Sequence, residues 1–277
     1  MWFGMEVSSD AEGSADLSIE DIDMSLTRCG LLPEQAEELA RLYQEHGTWK
    51  QVEEVWFGER IANRSTRDSS QGIYSVLTSR FKQAPSGLPR PGDLPVVLDM
   101  CSTSRDKAQV LYPYLVADDA LMQYAVYNYS NRFSTGSSDS VDFSNGSLMG
   151  ILDGFEQVGG APLDYADSTL QRWCEGFRSV MRKIGVIESE QSVTGSPPMI
   201  GKVPLLVAVG YSYDDSDDDW FRSPTGLRYL FQPESRWNEF YDRAAETDAW
   251  RFVELHGSLR LRPEEDPYSW IEAEVDE

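Results

Sequence analysis

The residues best suited to chemistry in this sequence are cations gathered in one stretch of an otherwise acidic chain. Residues 60–90 hold six basic side chains against a single acid, Asp68, and so carry a net charge of +5. The whole chain of 277 residues carries −23, which leaves −28 for the rest. The six cations are Arg60, Arg64, Arg67, Arg80, Lys82 and Arg90. So large a local exception predicts a binding site for an extended anion, such as a nucleic acid backbone.

Three predicted helices must position these cations. A first helix is expected over residues 33–46, where Pro33 occupies the first turn and apolar residues recur at helical spacing. Thr48 caps a second helix, with Gln51 as its capping-box partner. A third helix is expected from Ser65 or Thr66 to Lys82. Two short helices with a tight Gly47-Thr48 junction, followed by a basic helix, are typical of a helix-turn-helix arrangement.

The start of the third helix offers polar groups that suit phosphate oxygens. Backbone N–H groups in a first helical turn have no partner within the helix, and side chains next to them can complete an anion site. The alternative is that these arginines pair with surface carboxylates, which this chain has in excess. The predicted phosphate contacts in this part are Arg60, Arg64, Ser65, Thr66, Arg67, Arg80 and Lys82.

A second basic helix is predicted over residues 168–184, where the apolar side chains fall on one face and the cations oppose a single acid, Glu175. Gly185 ends this helix, and Val186-Ile187 can start a strand. The same order, a long helix followed by a strand, occurs where the third helix of a winged-helix unit leads into its wing. The alternative is a core helix whose arginines extend along its surface to reach water. The residues that would extend the DNA contact are Arg172, Arg178, Arg182 and Lys183.

The predicted fold is mainly α, with two helical subdomains of helix-turn-helix or winged-helix character and a small mixed C-terminal extension. Residues 84–95 hold four prolines and two glycines, which indicates a linker or an ordered loop. Residues 199–211 fit a strand or a short helix, and residues 250–261 fit a hairpin around His256-Gly257. Further helices are predicted over residues 96–101, 105–116, 118–132, 148–158 and 233–247. The expected divisions are a tail (1–16), an N-terminal subdomain (17–95), a second helical subdomain (96–190) and an acidic extension (191–277).

Motifs for catalysis are absent from the sequence. It has no GxxxxGK[ST] phosphate loop, no GxGxxG, no HExxH and no GxSxG, and its two histidines, His46 and His256, lie far from any cysteine. Cys29, Cys101 and Cys174 are too far apart for a metal motif, and are expected to be buried thiols of a reducing compartment. We therefore expect a protein that is not an enzyme and has no catalytic residue, metal or cofactor.

Composition also bears on the setting of the protein. The longest apolar run is far too short for a membrane span, and the start of the sequence lacks the pattern of a signal peptide, so a soluble cytoplasmic protein is expected. A large acid excess, with nineteen arginines and only five lysines, suits a cytoplasm of very high salt. Acidity that reflects a halophilic host says little about partners.

Three stretches resemble a known family in their order and spacing. They are GTWKQVEEVWFGERIANRSTRDSSQGIYSVLTSRF, RDKAQVLYPYLVADDALMQYAVYNYSNRF and DSTLQRWCEGFRSVMRKIGVIES. Together they are similar to the BrxA component of BREX phage-defence systems, over roughly residues 25–190. The resemblance implies double-stranded DNA binding without known catalysis, beside a methyltransferase, an ATPase and a phosphatase-like component. It does not extend over residues 191–277.

The functional hypothesis is a DNA-binding accessory protein of a defence complex. The first alternative is a protein-interaction scaffold, in which the arginines dock onto an acidic partner and the tyrosines and tryptophans form the contact. A weaker alternative is RNA binding through a helical bundle. Base stacking by Tyr124, Tyr127 and Tyr129 is possible in principle, but core packing is the favoured interpretation of these side chains.

Overall fold

Helices account for most of the computed structural model, which describes residues 22, 24–59, 61, 67–135, 140–217, 219–255, 258–268 and 270–271. The helices are α1 (Pro33–His46), α2 (Trp49–Gly58), α3 (Arg67–Lys82), α4 (Leu94–Asp99), α5 (Ser104–Asp118), α6 (Ala120–Thr135), α7 (Asn145–Asp153), α8 (Glu156–Gly159), α9 (Asp167–Ile184), α10 (Lys202–Ser212), α11 (Thr225–Tyr229) and α12 (Trp237–Ala245). This confirms the prediction of a mainly helical fold.

Four short strands among the described residues form two antiparallel ribbons. Strand β1 (Val141–Asp142) pairs with β2 (Thr194–Gly195), with Val141 opposite Gly195. Strand β3 (Trp250–Leu255) pairs with β4 (Ser258–Pro263) along its whole length, which confirms the predicted hairpin. The turn at His256-Gly257 lies outside the described residues. The second ribbon and α10–α12 make up the small mixed C-terminal part.

Helix α5 forms the centre of the core. Thr103 and Asp106 close a reciprocal capping box at its start, and every residue from Ala108 to Val116 is buried. Helices α1, α3, α6, α9 and α10 all pack against it. The buried Gln109 amide donates to the carbonyl oxygens of Ile184 and Met199, both at 2.9 Å, and so fixes the end of α9 beside the segment that leads to α10. A single apolar cluster thus includes residues from the predicted divisions 17–95, 96–190 and 191–277.

The first three helices form as the sequence predicts. Gly47 ends α1 with a φ of 71°, a conformation that favours glycine. The Thr48 hydroxyl then accepts from the Gln51 backbone N–H at the start of α2. Helix α3 is described from Arg67 and buries the expected stripe of Ile73, Tyr74, Leu77 and Phe81; its predicted start at Ser65 or Thr66 lies outside the described residues.

The proline-rich segment before α4 is an ordered loop. The Tyr114 hydroxyl donates to Pro89 O at 2.5 Å, and the Tyr268 hydroxyl donates to Gly87 O at 2.6 Å. Leu88 is buried between these two bonds. Of the two interpretations left open by the sequence, the ordered loop is therefore correct.

The segment after α9 differs from the prediction. Val186 and Ile187 form no strand; both are buried, and both backbone N–H groups donate to Met181 O, at 2.9 and 3.3 Å. Because these donors are used to close the end of α9, they are not free to pair with a neighbouring strand. The expectation that a wing strand starts at this position is wrong.

Three further helical predictions are refined. The segment predicted as a single helix over 148–158 is divided into α7 and α8. The ambiguous segment 199–211 contains α10, which is buried on nearly every side and for that reason lacks a helical apolar stripe. The helix predicted from Pro233 begins as a 3₁₀ turn before α12.

Candidate nucleic-acid interface

The N-terminal group of predicted phosphate contacts is only partly described. Arg60, Arg64, Ser65 and Thr66 lie outside the described residues. Arg67 is the first residue of α3, and its side chain also lies outside the described part. The prediction for these five residues therefore remains a prediction.

Arg80 is not a surface cation. Its side chain is 3% exposed, and its guanidinium donates to Gly30 O at 2.8 Å and to Cys29 O at 2.9 Å. Its Nε also lies 3.8 Å from a carboxylate oxygen of Asp118. A group that is buried and engaged in this way cannot reach a phosphate, so the prediction for Arg80 is wrong.

Lys82 lies on the exposed side of α3. Its Nζ is 5.5 Å from the centroid of the Trp49 ring, within the range of a cation–π interaction. It forms no ion pair with any described carboxylate, so it stays accessible to an anion.

Helix α9 carries the second predicted group of cations on the side opposite its buried face. Its inner face is completely buried, with Trp173, Phe177 and Val180 at 0% exposure. Arg172 and Lys183 are exposed, and Arg178 and Arg182 are half-buried, so all four reach the outer side.

The four cations of α9 form no ion pair within the described part of the chain. Arg172 and Lys183 are 11 residues apart and face the same way, which separates them by about 16 Å along the axis. That distance is close to the rise of roughly five base pairs of duplex DNA.

Two arginines meet at the first turn of α7, beside α9. Arg178 donates to the Asn145 side-chain oxygen at 3.0 Å, and Arg132, from α6, donates to the Ser147 hydroxyl at 2.9 Å. The N-terminus of a helix is itself partly positive, so the start of α7 and the two arginines together create a more positive potential at this point. Asp142 lies close by, because its carboxylate accepts from the Ser144 backbone N–H at 2.8 Å.

Two more cations border α9 on its other sides. A Cβ added at Gly185 would lie 2.7 Å from Arg105 Nε, which places Arg105 at the end of the helix. A Cβ added at Gly176 would lie 2.8 Å from Leu26 O, so the turn that contains Leu26 and precedes Arg28 packs directly on α9. Both arginines are exposed and without an ion pair to a described acid.

We call this set of cations the α9 surface. It comprises Arg28, Arg105, Arg132, Arg172, Arg178, Arg182 and Lys183. Sequence reasoning found the four residues on α9 and missed the three that come from other elements. No local pattern marks those three, because only the tertiary fold brings them beside α9.

The described residues contain no cluster of metal-binding side chains. No group of three or more His, Cys, Asp or Glu side chains there could hold a metal ion. Cys29 and Cys174 are buried and Cys101 is partly buried; burial raises the pKa of Cys101 to about 12 and of Cys174 to about 11, the opposite of what a reactive thiol needs. None of the described helices is long and apolar enough to cross a bilayer.

The three tyrosines of α6 differ in their exposure. Tyr124 and Tyr129 are buried, and burial raises the pKa of Tyr129 to about 12. Tyr127 is 45% exposed. The expectation of core packing holds for the first two, whereas Tyr127 is on the surface.

Comparison with known proteins finds a solved structure that shares the fold of this chain. No protein-family model matches the chain, and no curated protein matches it. The crystal structure of an uncharacterized protein from Magnetospirillum magneticum is similar, with a TM-score of 0.56 and 12% sequence identity. The match covers 76% of this chain and 98% of that one, so nearly all of the other protein shares the fold while this chain has additional residues.

Proposed function

We propose that this chain is a non-catalytic, DNA-binding accessory component of a BREX anti-phage defence system, as its resemblance to the BrxA family implies. Its contacts to duplex phosphates come from the α9 surface, together with the basic stretch at the start of α3. The observation that carries the proposal is the set of cations on α9 that have no described carboxylate partner.

Charge statistics make that observation meaningful. The chain has 47 acidic and 24 basic side chains, so a cation placed without constraint would usually find an acid nearby. Several arginines elsewhere in the described part of the chain do find one, although Arg90 and Arg243 do not. Paired examples are Arg41, Arg222, Arg236, Arg251 and Arg262. A row of cations without a described ion pair fits an external anion better than it fits a stabilising role.

Salt limits what the cations alone can provide. Each phosphate neutralised contributes about −0.9 to the slope of log K against log salt, so several contacts lose most of their strength in a salt-rich cell. The outer side of α9 also carries Ser168, Gln171 and Ser179, whose hydroxyl and amide groups can bond to phosphate, sugar or base edges. Such neutral contacts are far less sensitive to salt than the ion pairs.

Fluorescence anisotropy with a labelled duplex, across a KCl series, tests the site. Replacing Arg172 and Lys183 by Gln should weaken binding at least about tenfold at low salt and reduce the salt slope by about 2. The control is Arg222→Gln with Arg251→Gln, which removes two exposed cations that already pair with Asp219 and Glu264. Binding that is equal in the two double variants would exclude the α9 surface.

The basic stretch needs a separate variant. The double variant Arg64→Glu with Arg67→Glu should bind duplex DNA more weakly than the wild type. An unchanged affinity would remove this stretch from the proposal. Competition between duplex DNA and RNA distinguishes the proposal from RNA binding. Co-purification with BREX proteins that survives nuclease treatment would instead favour the scaffold, in which the arginines dock onto an acidic partner.

A further inference from the structure

A groove of 1080 Å³ lies between the loop that precedes α4, the end of α10, residues 266–268 and Ile271. Its walls are fixed by hydrogen bonds that do not depend on a ligand. The Tyr268 hydroxyl donates to Gly87 O at 2.6 Å, and the Gly226 backbone N–H donates to the Ser212 hydroxyl at 2.9 Å. The groove is thus pre-formed, and it exceeds the size of about 300–1,000 Å³ that is usual for small-ligand sites.

Acidic side chains outnumber basic ones among the described residues that line the groove. Five aspartates and one cation, Arg90, contribute to it. Asp215 is neutralised by Arg262 at 2.7 Å, but Asp93, Asp214 and Asp217 form no ion pair with any residue that the structure describes. The five are Asp93, Asp214, Asp215, Asp217 and Asp266. Such a lining attracts a cationic ligand, although acids are common over this whole chain.

Trp220 adds a second and different signal. Its side chain lines the groove and is only 5% exposed, held edge-to-face against Tyr213 and Tyr241. Its indole N–H has no hydrogen-bond partner among the described residues. Because Trp220 lines the groove, a ligand that carries an acceptor could accept a hydrogen bond from this N–H.

The two signals together narrow the class of ligand. Carboxylates select cations, whereas an indole N–H selects an acceptor such as a carbonyl oxygen. A polyamine carries only the cations, while a basic peptide carries both the cations and the backbone carbonyls. We infer that this groove binds an extended Arg- or Lys-containing segment of a partner protein, with its cations at Asp93 and Asp217 and a backbone carbonyl at Trp220. This inference is independent of DNA binding.

Peptide binding can be measured by the anisotropy of a labelled octapeptide of alternating Arg and Gly, at an ionic strength of about 0.15 M. Asp93→Asn with Asp217→Asn should weaken binding at least about tenfold while leaving the size of the side chains unchanged. The matched control, Asp153→Asn with Glu156→Gln, neutralises two exposed acids outside the groove and should stay within about twofold of the wild type. Trp220→Phe should also weaken binding, and where that variant fails to fold, the aspartate pair decides.

Several results would overturn the inference. They are the absence of peptide binding by the wild type, an equal loss in both double variants, and tight binding of the matching Glu-Gly peptide. If spermine displaces the peptide at equal concentration and a folded Trp220→Phe variant binds as the wild type does, the site takes polyamines instead. Concentration-dependent dimers in sedimentation that vanish in Asp93→Asn with Asp217→Asn would assign the groove to a second copy of the chain.

Discussion

The Nε of Arg80 lies 3.8 Å from a carboxylate oxygen of Asp118, and the two side chains are only 3% and 7% exposed. The same guanidinium donates to the carbonyl oxygens of Cys29 and Gly30, in the segment that packs on α9. Arg80 thus joins α3, the end of α5 and the border of the α9 surface. A residue whose charge suggests DNA contact instead positions the elements that surround the proposed site.

Removal of Arg80 should therefore cost stability. Arg80→Leu leaves the Asp118 charge buried without this partner and leaves two carbonyls without their donor, so the free energy of unfolding should fall by about 3–5 kcal/mol. Lys82→Leu, two residues away on the exposed side, should change it by less than about 0.5 kcal/mol. Urea unfolding monitored by tryptophan fluorescence measures both, and equal stabilities would contradict the structural role of Arg80.

Two glycines should respond in opposite ways to alanine. Gly226 lies against α10, where an added Cβ would be 2.1 Å from Ala208 O, so Gly226→Ala must force α10 and α11 apart. Gly72 is exposed in the middle of α3 with open space around it. Gly72→Ala should stabilise the protein by about 1 kcal/mol, and Gly226→Ala should destabilise it by at least about 2 kcal/mol. Thermal unfolding of the pair checks the signs; a stabilised Gly226→Ala variant would contradict the packing described.

Acid pH should weaken the contact between α1 and α5. Burial alone would raise the pKa of Glu37, but hydrogen bonds from Lys107 at 2.9 Å and Arg41 at 2.8 Å outweigh it and hold that pKa below its ordinary value of 4.5. Because the folded pKa is the lower one, the stabilisation is fully present above pH 4.5 and is lost as the pH falls through the folded value.

Glu37→Gln tests this dependence. In the variant, the free energy of unfolding should fall less steeply with acidification below pH 4.5 than in the wild type. Chemical denaturation at a series of pH values gives the two slopes. Glu156→Gln, an exposed residue on α8, is the control that should keep the wild-type slope. Parallel curves for Glu37→Gln and the wild type would show that Glu37 is not coupled to folding.

Native thiols should react slowly. Burial and the nearby Asp106 raise the pKa of Cys101 to about 12, and burial raises that of Cys174 to about 11, so little thiolate exists at neutral pH. Labelling with an aromatic disulfide reagent should be at least about 100-fold slower in the folded protein than in denaturant, where all three thiols react. Rapid native labelling at Cys101, identified by mass spectrometry, would contradict this.

Local periodicity predicted much of the fold because it reports directly on which face is buried. The stripes of α3 and α9 and the alternation of β3 and β4 gave elements within a few residues of those observed. Tertiary proximity left no such trace. Arg105 approaches Gly185, a residue 80 positions away, and the local sequence at either position does not predict this contact.

The wrong prediction for Arg80 has a different cause, because the sequence did contain the information that this side chain is buried. It follows Ile73 by seven residues and Leu77 by three, which places it on the buried stripe of α3. Lys82, two residues later, points to the opposite side. Counting charges along the stretch hid this difference, and assigning each cation to a face of its helix would have separated the two.

The bond from the Tyr268 hydroxyl to Gly87 O joins residues 181 positions apart. During synthesis the loop before α4 must therefore wait for almost 200 further residues to leave the ribosome before it acquires this partner. The helices around α5 can assemble earlier, from segments that emerge together. A chain in synthesis therefore forms this groove only after Tyr268 has emerged, so a protein that docks there would not bind chains that still lack that residue.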